Sequence, residues 1–317
     1  MRKQTINYIL KKRSLKGITT DETIKAYKKN CKKFDNWIRT TKGIKYVEDV
    51  PENDTLSIIQ EYEKWLSDQC YAPSTIHAYL VPVCKGFSID LSNINKPKRT
   101  AGHLKRSRDA SANRQGKREA ENEKYKRLVD TQRALGLRRN ELSKLTGKDL
   151  VENEKGLFVR VKRGKGGKFQ LQKILPQHEK AIRSVWKSVG PDQRVFSAAE
   201  MKNKIDLHGI RAELAKNAYD YYAERISNDP VFVADLKEEL CDRYLNDSKK
   251  CKNLDDLNRW RKQMVDNDRI YKMRGENKQN AIAHHRPVEY NRLAMTAVSV
   301  LHLSHWRLDV TSVNYLA

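Results

Sequence analysis

The sequence contains no apolar run of about 18 residues, the length that a membrane-spanning helix needs. Its opening residues, MRKQTINYIL, contain neither the apolar stretch nor the small-residue cleavage site of a signal peptide. We therefore expect a cytoplasmic protein that does not interact with membranes.

Cysteine is also scarce, and its distribution argues against disulfides and against bound metal. The five cysteines are odd in number and include no CxxC pair. They are Cys31, Cys70, Cys84, Cys241 and Cys251. A disulfide framework or zinc site is not expected, and a reducing compartment fits. No acidic cluster has the spacing of another metal site, so we expect neither a metal nor a cofactor.

Acidic residues are few relative to basic ones. The chain has 64 lysines and arginines against 40 aspartates and glutamates, which gives a formal net charge of +24. Such an excess predicts a polyanionic partner, most often nucleic acid, without telling whether that partner is bound, cut or joined. At 317 residues, 38% of them apolar, the chain can form about two domains with modest cores.

Residues 1–95 have the pattern of a small helical domain. Thr19 and Glu22 have the spacing of a capping box at the start of a first helix. Its apolar residues recur at three- and four-residue steps, which is typical of one buried helix face. They are Ile24, Tyr27, Cys31, Phe34, Trp37 and Ile38. The opposite face is rich in lysine, and we expect Lys28 and Lys32 on it to contact DNA.

Two further helices are predicted in this domain. One covers Thr55 to about Gln69, and the other begins at Pro73 and contains Pro82, which should kink it. The side chains predicted to form the buried side of the first are Leu56, Ile59, Tyr62, Trp65 and Leu66.

Residues 96–120 differ in composition and are interpreted as a basic linker between domains. Residues 96–118 contain nine lysines and arginines but a single acid, Asp109. A solvated segment that merely aids solubility would have the same composition. In a chain this basic we favour contact with DNA phosphates. The linker residues predicted to make it are Lys96, Lys98, Arg99, Lys105, Arg106 and Arg108.

Residues 121–317 are predicted to form a second domain that is mixed but mainly helical. A helical pattern is broken at Gly136 and resumes near Arg139. Alternating apolar residues over 157–161 and again over 169–175 predict a β-hairpin around a glycine-rich turn.

Two motifs of this domain carry basic side chains in places that favour anions. Arg138 follows Gly136 closely at a helix start, where backbone N–H groups favour negative charge. Lys165 lies in the hairpin turn, from which a mobile ammonium could reach a DNA groove. Each has a simpler reading, an ordinary helix break in the first case and a solvated lysine in the second.

Two further motifs contain histidine. His208 and Arg211 form an HxxR pair, which places both side chains on one helix face within reach of one phosphate. Near the end, LSHWRLDVTSVNYL contains His305, Trp306 and Tyr315. Alone, a histidine beside a tryptophan is more often a packed residue, and a short HxxR string often arises by accident.

Together these residue types suit cleavage of a DNA strand through a covalent intermediate. A tyrosine phenol can attack a phosphodiester, but its pKa of about 10 requires a nearby base or positive field. Two arginines can bind the non-bridging oxygens and stabilise charge that builds at phosphorus. A lysine can protonate the leaving 5′-oxygen, and a histidine can move the phenolic proton or hydrogen-bond the phosphate.

In this order the motifs resemble those of the tyrosine recombinases, the family of the lambda-type phage integrases. The matching positions are Arg138, Lys165, His208, Arg211, His305 and Tyr315. The resemblance covers most of the chain, and residues 212–290 match least.

Roles for individual residues are implied by this resemblance. Tyr315 would be the nucleophile that forms a 3′-phosphotyrosyl link, and Arg138 and Arg211 would clamp the scissile phosphate. Lys165 would be the general acid and His208 the general base. His305 would hydrogen-bond the phosphate, and Glu141 would be a structural brace for the Arg138 turn.

The resemblance also implies a fold and a function. The fold class is mainly α with a small antiparallel β-sheet, arranged as a helical SAM-like core-binding domain and a tyrosine-recombinase catalytic domain. The function would be site-specific recombination that integrates or excises a mobile element. A homo-tetramer would act on double-stranded DNA attachment sites in the nucleoid, with accessory DNA-bending proteins possible as partners. The alternatives are a type IB topoisomerase-like DNA-relaxing enzyme and a non-catalytic DNA-binding protein with a decayed site.

Two departures from the family pattern concern the second half of the chain. The segment between His208 and His305 is unusually long, and residues at about 227–279 are interpreted as a helical insertion. Ser304 stands where the family usually has glycine before the histidine.

Overall fold

The computed structural model describes residues 3–99, 119, 121–162, 164, 167, 169–248 and 250–316. The chain divides into two compact units, one within Met1–His103 and the other within Leu104–Ala317. The predicted DNA contacts Lys105, Arg106 and Arg108, and the predicted general acid Lys165, lie outside the described residues.

Helices form the first unit throughout. In chain order they are α1 (Ile6–Ser14), α2 (Asp21–Lys42), α3 (Thr55–Asp68) and α4 (Pro73–Phe87). Short 3-10 turns are found at Val47–Asp49, Glu52–Asp54 and Leu91–Asn93. The boundaries of α3 and α4 agree with the predicted starts at Thr55 and Pro73, and Pro82 lies inside α4.

The apolar faces of these helices meet in one core, as their spacing predicts. Phe34 and Trp37 on α2 each lie with ring centroids 5.0 Å from that of Tyr62 on α3. Helix α1, which the sequence pattern did not reveal, contributes the fully buried Ile6 and Leu10. Burial of this aromatic cluster accounts for a stable fold in so basic a unit.

Two local predictions for this unit are wrong. Leu56 is 42% exposed, because Ile58 and Ile59 one turn into α3 supply the buried face instead. The capping box does not form, because α2 begins at Asp21 after Thr20. Glu22 is therefore the second helical residue rather than the third, and cannot make the reciprocal bond.

The second unit contains both helices and short strands. Its helices are α5 (Lys126–Leu135), α6 (Arg139–Leu142), α7 (Pro176–Trp186), α8 (Ala198–Met201), α9 (Leu207–Asn228), α10 (Pro230–Asp247), α11 (Leu254–Met264), α12 (Gly275–Ala283), α13 (Arg292–Ala297) and α14 (Leu308–Thr311). Its strands are β1 (Leu150–Asn153), β2 (Gly156–Val161), β3 (Gln170–Lys173), β4 (Tyr271–Lys272) and β5 (Glu289–Tyr290). Two π-helical turns are Val298–His302 and Ser312–Leu316. The predicted fold class, mainly α with a small antiparallel sheet, is confirmed.

The predicted hairpin is present as β2 and β3, and β1 extends it. The strand order is β1-β2-β3, with Val159 opposite Leu150 on one side and Gln172 on the other. Strand β1 and the two-residue pair β4–β5 are absent from the sequence prediction. Strand β1 has the sequence LVEN, in which two apolar residues precede two polar ones without alternation, and β4 and β5 are too short to show any.

Helix α9 connects two hydrophobic cores of this unit. Leu207 and Ile210 belong to the core that includes β2, whereas Leu214 belongs to the core that includes α13 and Tyr315. Arg211 lies between these two sets on the same helix and is drawn into the interior. Helix α10, from the segment interpreted as an insertion, adds Leu240 to the second core.

The described residues offer no membrane span and no metal cluster. None of their helices is both long and apolar enough to cross a bilayer. No group of three or more histidine, cysteine, aspartate or glutamate side chains among them could hold a metal ion. The five cysteines are free thiols.

We expect Gly136→Ala to lower the free energy of unfolding by about 2 kcal/mol in urea denaturation. Gly136 ends α5 in the left-handed region, with φ of 56°. A Cβ atom at this position would lie 2.6 Å from Cδ2 of the buried Leu214.

Gly17→Ala is the matched control for this prediction. Gly17 has φ of 77°, but a Cβ there would meet no atom within 4 Å. The free energy of unfolding of Gly17→Ala should therefore fall only by the cost of backbone strain, about 1 kcal/mol. Equal losses at the two glycines would contradict a role for the Leu214 contact.

Candidate active site

Arg211 is a buried cation that joins two loops. It is the fifth residue of α9, whose N-cap residue Asp206 accepts a hydrogen bond from the Gly209 N–H at 3.0 Å. Its residue surface is only 1% exposed. Its guanidinium donates to the carbonyl oxygen of Gly136 and, at 2.7 Å, to that of Leu303. Other N–H donors of the guanidinium remain for an anion, since it carries five.

Arg138 is the N-cap residue of α6 and is held by Glu141. The Arg138 backbone N–H donates to Glu141 Oε2 at 3.0 Å, and its Nη1 donates to Glu141 Oε1 at 2.8 Å. The Glu141 carboxylate occupies the Arg138 N–H, one of the backbone donors at this helix start, in keeping with its expected part in bracing the Arg138 turn. Burial tends to raise the pKa of Glu141, but Arg138 outweighs that effect and holds the pKa below its ordinary value.

His305 lies in a loop whose backbone is tied to Ser299. The His305 N–H donates to the Ser299 carbonyl at 3.2 Å, and the Arg307 N–H donates to Ser299 Oγ at 2.9 Å. Ser299 Oγ also lies 3.4 Å from His305 Nδ1. The Ser299 hydroxyl has one O–H and a second lone pair, so it can hydrogen-bond this nitrogen in either direction.

Tyr315 lies at the centre of the site, on the last π-helical turn. Its ring centroid is 5.6 Å from the ring of His208 and 5.6 Å from that of His305. The Arg211 guanidinium carbon lies 5.8 Å from the same centroid. Tyr315 is only 6% exposed, because these side chains pack around its ring.

The electrostatics of the site keep both histidines neutral near neutral pH. Burial lowers the pKa of His305 to about 3, and the charges of Arg211 and Arg138 act in the same direction. Burial and Arg211 also lower the pKa of His208. A neutral His208 can accept a proton, and a neutral His305 can donate one hydrogen bond without carrying charge. Burial lowers the pKa of Arg211 as well, although Tyr315 opposes this effect.

The structure thus brings together five of the six residues predicted for chemistry. His208, Arg211, His305 and Tyr315 are in direct ring or cation–ring contact. Arg138 is near enough for its charge to affect the pKa values of His208, Arg211 and His305. A cavity of about 280 Å³ lies beside it and is lined in part by Arg138, Asp206 and His208.

Sequence reasoning missed three polar residues that hold the site. Ser299 orients the His305 loop, and two glutamines on β3 reach the site from the sheet. Gln170 donates to Glu141 Oε1 at 3.3 Å, and Gln172 donates to the His302 carbonyl. The alternation in QLQK was readable, but nothing in it indicated that the polar side faces inward.

The residues predicted to contact DNA outside the site differ in their environment. Lys28 and Lys32 are exposed on α2, and Lys98 and Arg99 are exposed beyond α4. Lys96 is half-buried, because its ammonium donates to the carbonyl oxygens of Leu91 at 2.7 Å and Ile94 at 3.1 Å.

Comparison with known proteins yields one distant structural likeness. No family model matches the chain, and no curated protein matches it. Among solved structures, the chain is similar to one described as "Crystal structure of XerA recombinase", with 18% sequence identity and a TM-score of 0.24. That match covers 67% of this chain and 82% of the other. A likeness with so low a TM-score carries no argument about function, which we infer from the side chains at the site.

We expect the second unit to lose stability steadily as the pH falls from about 6 to about 4.5, with buried His302 as one cause. Burial, reinforced by Lys173, lowers the pKa of His302 from 6.5 to about 3. Between those values the unfolded chain binds a proton that the folded chain excludes. Each such histidine lowers the free energy of unfolding by about 1.4 kcal/mol for every unit by which the pH falls in this range.

His302→Gln should therefore flatten the dependence of unfolding free energy on pH by about that amount, measured by urea denaturation across the range. His285→Gln, at an exposed position, is the control and should leave the slope unchanged. An unchanged slope in His302→Gln would contradict the depressed pKa.

Proposed function

We propose that this protein is a tyrosine recombinase that cleaves and rejoins DNA through a 3′-phosphotyrosyl intermediate. The observation that carries the proposal is the packing of the Tyr315 ring against His208, His305 and Arg211. These side chains come from the start of a long helix, a loop and a terminal π turn. A tyrosine, a neutral base and a buried arginine in contact form a set suited to phosphoryl transfer.

The cleavage step would begin at the Tyr315 hydroxyl. Its oxygen attacks the phosphorus of the scissile phosphodiester while His208 accepts the phenolic proton. The bond from phosphorus to the 5′-oxygen breaks, and Lys165 supplies the proton that converts the leaving oxygen to a hydroxyl. Rejoining reverses these transfers, with the 5′-hydroxyl of another strand as the attacking group. The energy of the phosphodiester is kept in the phosphotyrosyl bond.

Stabilisation of the transition state would fall to the two arginines and His305. Arg211 is already oriented by two backbone carbonyls, and Arg138 by Glu141, so neither needs to reorganise when charge develops. His305 Nε2 would carry the N–H; this atom is shielded and has no hydrogen-bond partner within the described residues. A non-bridging phosphate oxygen would satisfy it.

The wider biological role belongs to the same proposal. The first unit would act as a core-binding domain and the second as the catalytic domain, joined by the basic linker at 96–120. Exchange of strands needs two DNA duplexes, so the active assembly would be a homo-tetramer. Integration or excision of a mobile element is the process that such an enzyme would serve.

A suicide-substrate assay tests the proposal directly. Wild-type protein incubated with nicked duplexes from a randomised sequence pool should form a covalent protein–DNA adduct that survives denaturing electrophoresis. Tyr315→Phe lacks the attacking oxygen and should reduce the adduct roughly 10³-fold or more. Tyr221→Phe removes a hydroxyl from another tyrosine of the same unit and should react like the wild type.

Each outcome of this assay has a clear meaning. Absence of any wild-type adduct would refute the enzyme and leave a DNA-binding protein. An adduct with Tyr315→Phe would assign the nucleophile to another residue. If the adduct forms as expected, product analysis decides the class: joined recombinant junctions identify a recombinase, and relaxed circles alone identify a topoisomerase-like enzyme.

DNA binding should weaken steeply with salt, and Lys28 and Lys32 should contribute to this slope. Replacing both by alanine should make the slope of log affinity against log salt shallower by about 2, equally for all sequences. Lys180→Ala/Lys187→Ala, exposed on and just beyond α7, is the control and should retain the wild-type slope. A loss confined to one DNA sequence would contradict a contact to phosphates.

A further inference from the structure

The residues on both sides of His305 have an unusual backbone conformation. Ser304 has φ of 51° and Trp306 has φ of 61°, both in the left-handed region. Side chains with a Cβ rarely adopt it, and a bulky residue such as tryptophan does so least of all. Such conformations persist only where the surroundings impose them.

Hydrogen bonds hold the loop at alternate residues. Leu303 donates its N–H to the Val298 carbonyl at 3.0 Å, and its own carbonyl accepts from Arg211. The N–H groups of His305 and Arg307 are bound to Ser299. These bonds involve neither the Ser304 nor the Trp306 peptide N–H, so a further constraint is needed to explain both left-handed residues.

That constraint is an aromatic clamp formed by Tyr244 of α10 and Trp260 of α11. Their rings stack with centroids 4.3 Å apart and planes only 5° from parallel. The Trp306 indole meets both at a steep angle of 66°, with centroid distances of 5.8 Å to Tyr244 and 6.0 Å to Trp260. Tilted contacts of this kind are the favoured geometry for aromatic rings.

The clamp is anchored to the rest of the second unit. Arg243 of α10 donates to the Leu171 carbonyl on β3 at 2.6 Å, and the buried Glu239 pairs with Lys173 at 2.5 Å. Leu240 is packed in the core that also contains Tyr315. Helix α10 therefore offers a fixed surface against which the Trp306 ring can be held.

We propose that α10 and α11 are a positioning element, in which the aromatic clamp holds Trp306 and thereby keeps His305 directed toward Tyr315. This proposal rests on the proposed function, because it assigns His305 to the same site. Tyr244, Trp260 and Trp306 are positioning residues that act through His305. The long segment between His208 and His305 thus gains a role within the chemistry of the site.

Two measurements on Trp260→Ala test the clamp. The first is NMR titration of the His305 ring, assigned by its loss in His305→Gln. Released from the clamp, the ring should become solvated and titrate at least one pH unit above its wild-type value. The second is adduct formation on the suicide substrate, which should slow at least tenfold while DNA affinity stays unchanged.

Rescue by Ser304→Gly separates positioning from simple packing. Glycine adopts the left-handed conformation without strain, so it should raise the population of the native loop when the clamp is lost. The double variant Trp260→Ala/Ser304→Gly should recover most of the lost rate of adduct formation, and its His305 pKa should return toward the low wild-type value. If the clamp only stabilised the fold, the adduct rates of these variants would follow their free energies of unfolding in urea, and the pKa of His305 in the folded protein would stay at its wild-type value.

Trp186→Ala provides the matched control, since it removes a buried indole from the other core of the unit. It should leave the His305 titration unchanged, and a shift equal to that of Trp260→Ala would overturn the proposal. Tyr244→Leu, which keeps apolar volume, replaces Trp260→Ala in both measurements if Trp260→Ala does not fold.

The outcomes for the clamp and for the proposed function can be told apart. If the His305 pKa rises as expected in Trp260→Ala but the wild type forms no adduct, the proposed function is refuted and the clamp is not. An unchanged titration with normal adduct formation would refute the clamp alone.

Discussion

The arrangement of the second unit depends on one buried charge, the guanidinium of Arg211. A cation removed from water is costly unless its donors are satisfied, and here two backbone carbonyls satisfy part of them. Those carbonyls belong to Gly136, at the end of α5, and to Leu303, before His305. By bonding both, Arg211 fixes the turn that carries Arg138 and the loop that carries His305 relative to α9. The same cation lies against the ring of Tyr315, so the site is built around it.

Most side chains of the candidate site lie at helix ends, in loops or in turns, and Arg211, one turn into α9, is the exception. Gly136, Ser304 and Trp306 all have left-handed backbone, and Tyr315 lies in a π-helical turn. Irregular backbone of this kind must be imposed by contacts elsewhere. Arg211, Ser299 and the aromatic clamp supply them, each from a different helix or turn. Segments distant in sequence from Tyr315 therefore contribute to the placement of the side chains around it.

Periodicity made much of the fold predictable. The three-residue and four-residue spacing located α2, α3 and α4, and alternation located the hairpin of β2 and β3. Short elements such as α1 and β4 escaped because they provide too few periods. At the site, the order of the motifs indicated Arg138, His208, Arg211, His305 and Tyr315. Supporting residues such as Gln170 and Ser299 carried no motif, because their role arises from pairing across distant parts of the chain.

By itself the sequence determined the excess of basic charge, the helix faces and the types of side chain available for chemistry. These properties are local, since they depend on composition and on neighbours within a few residues. The tertiary structure decided that Arg211 is buried and that the polar side of β3 faces inward. It also decided that Trp306 is held by α10 and α11. Burial and desolvation depend on what packs against a residue, and periodicity along the chain does not contain that information.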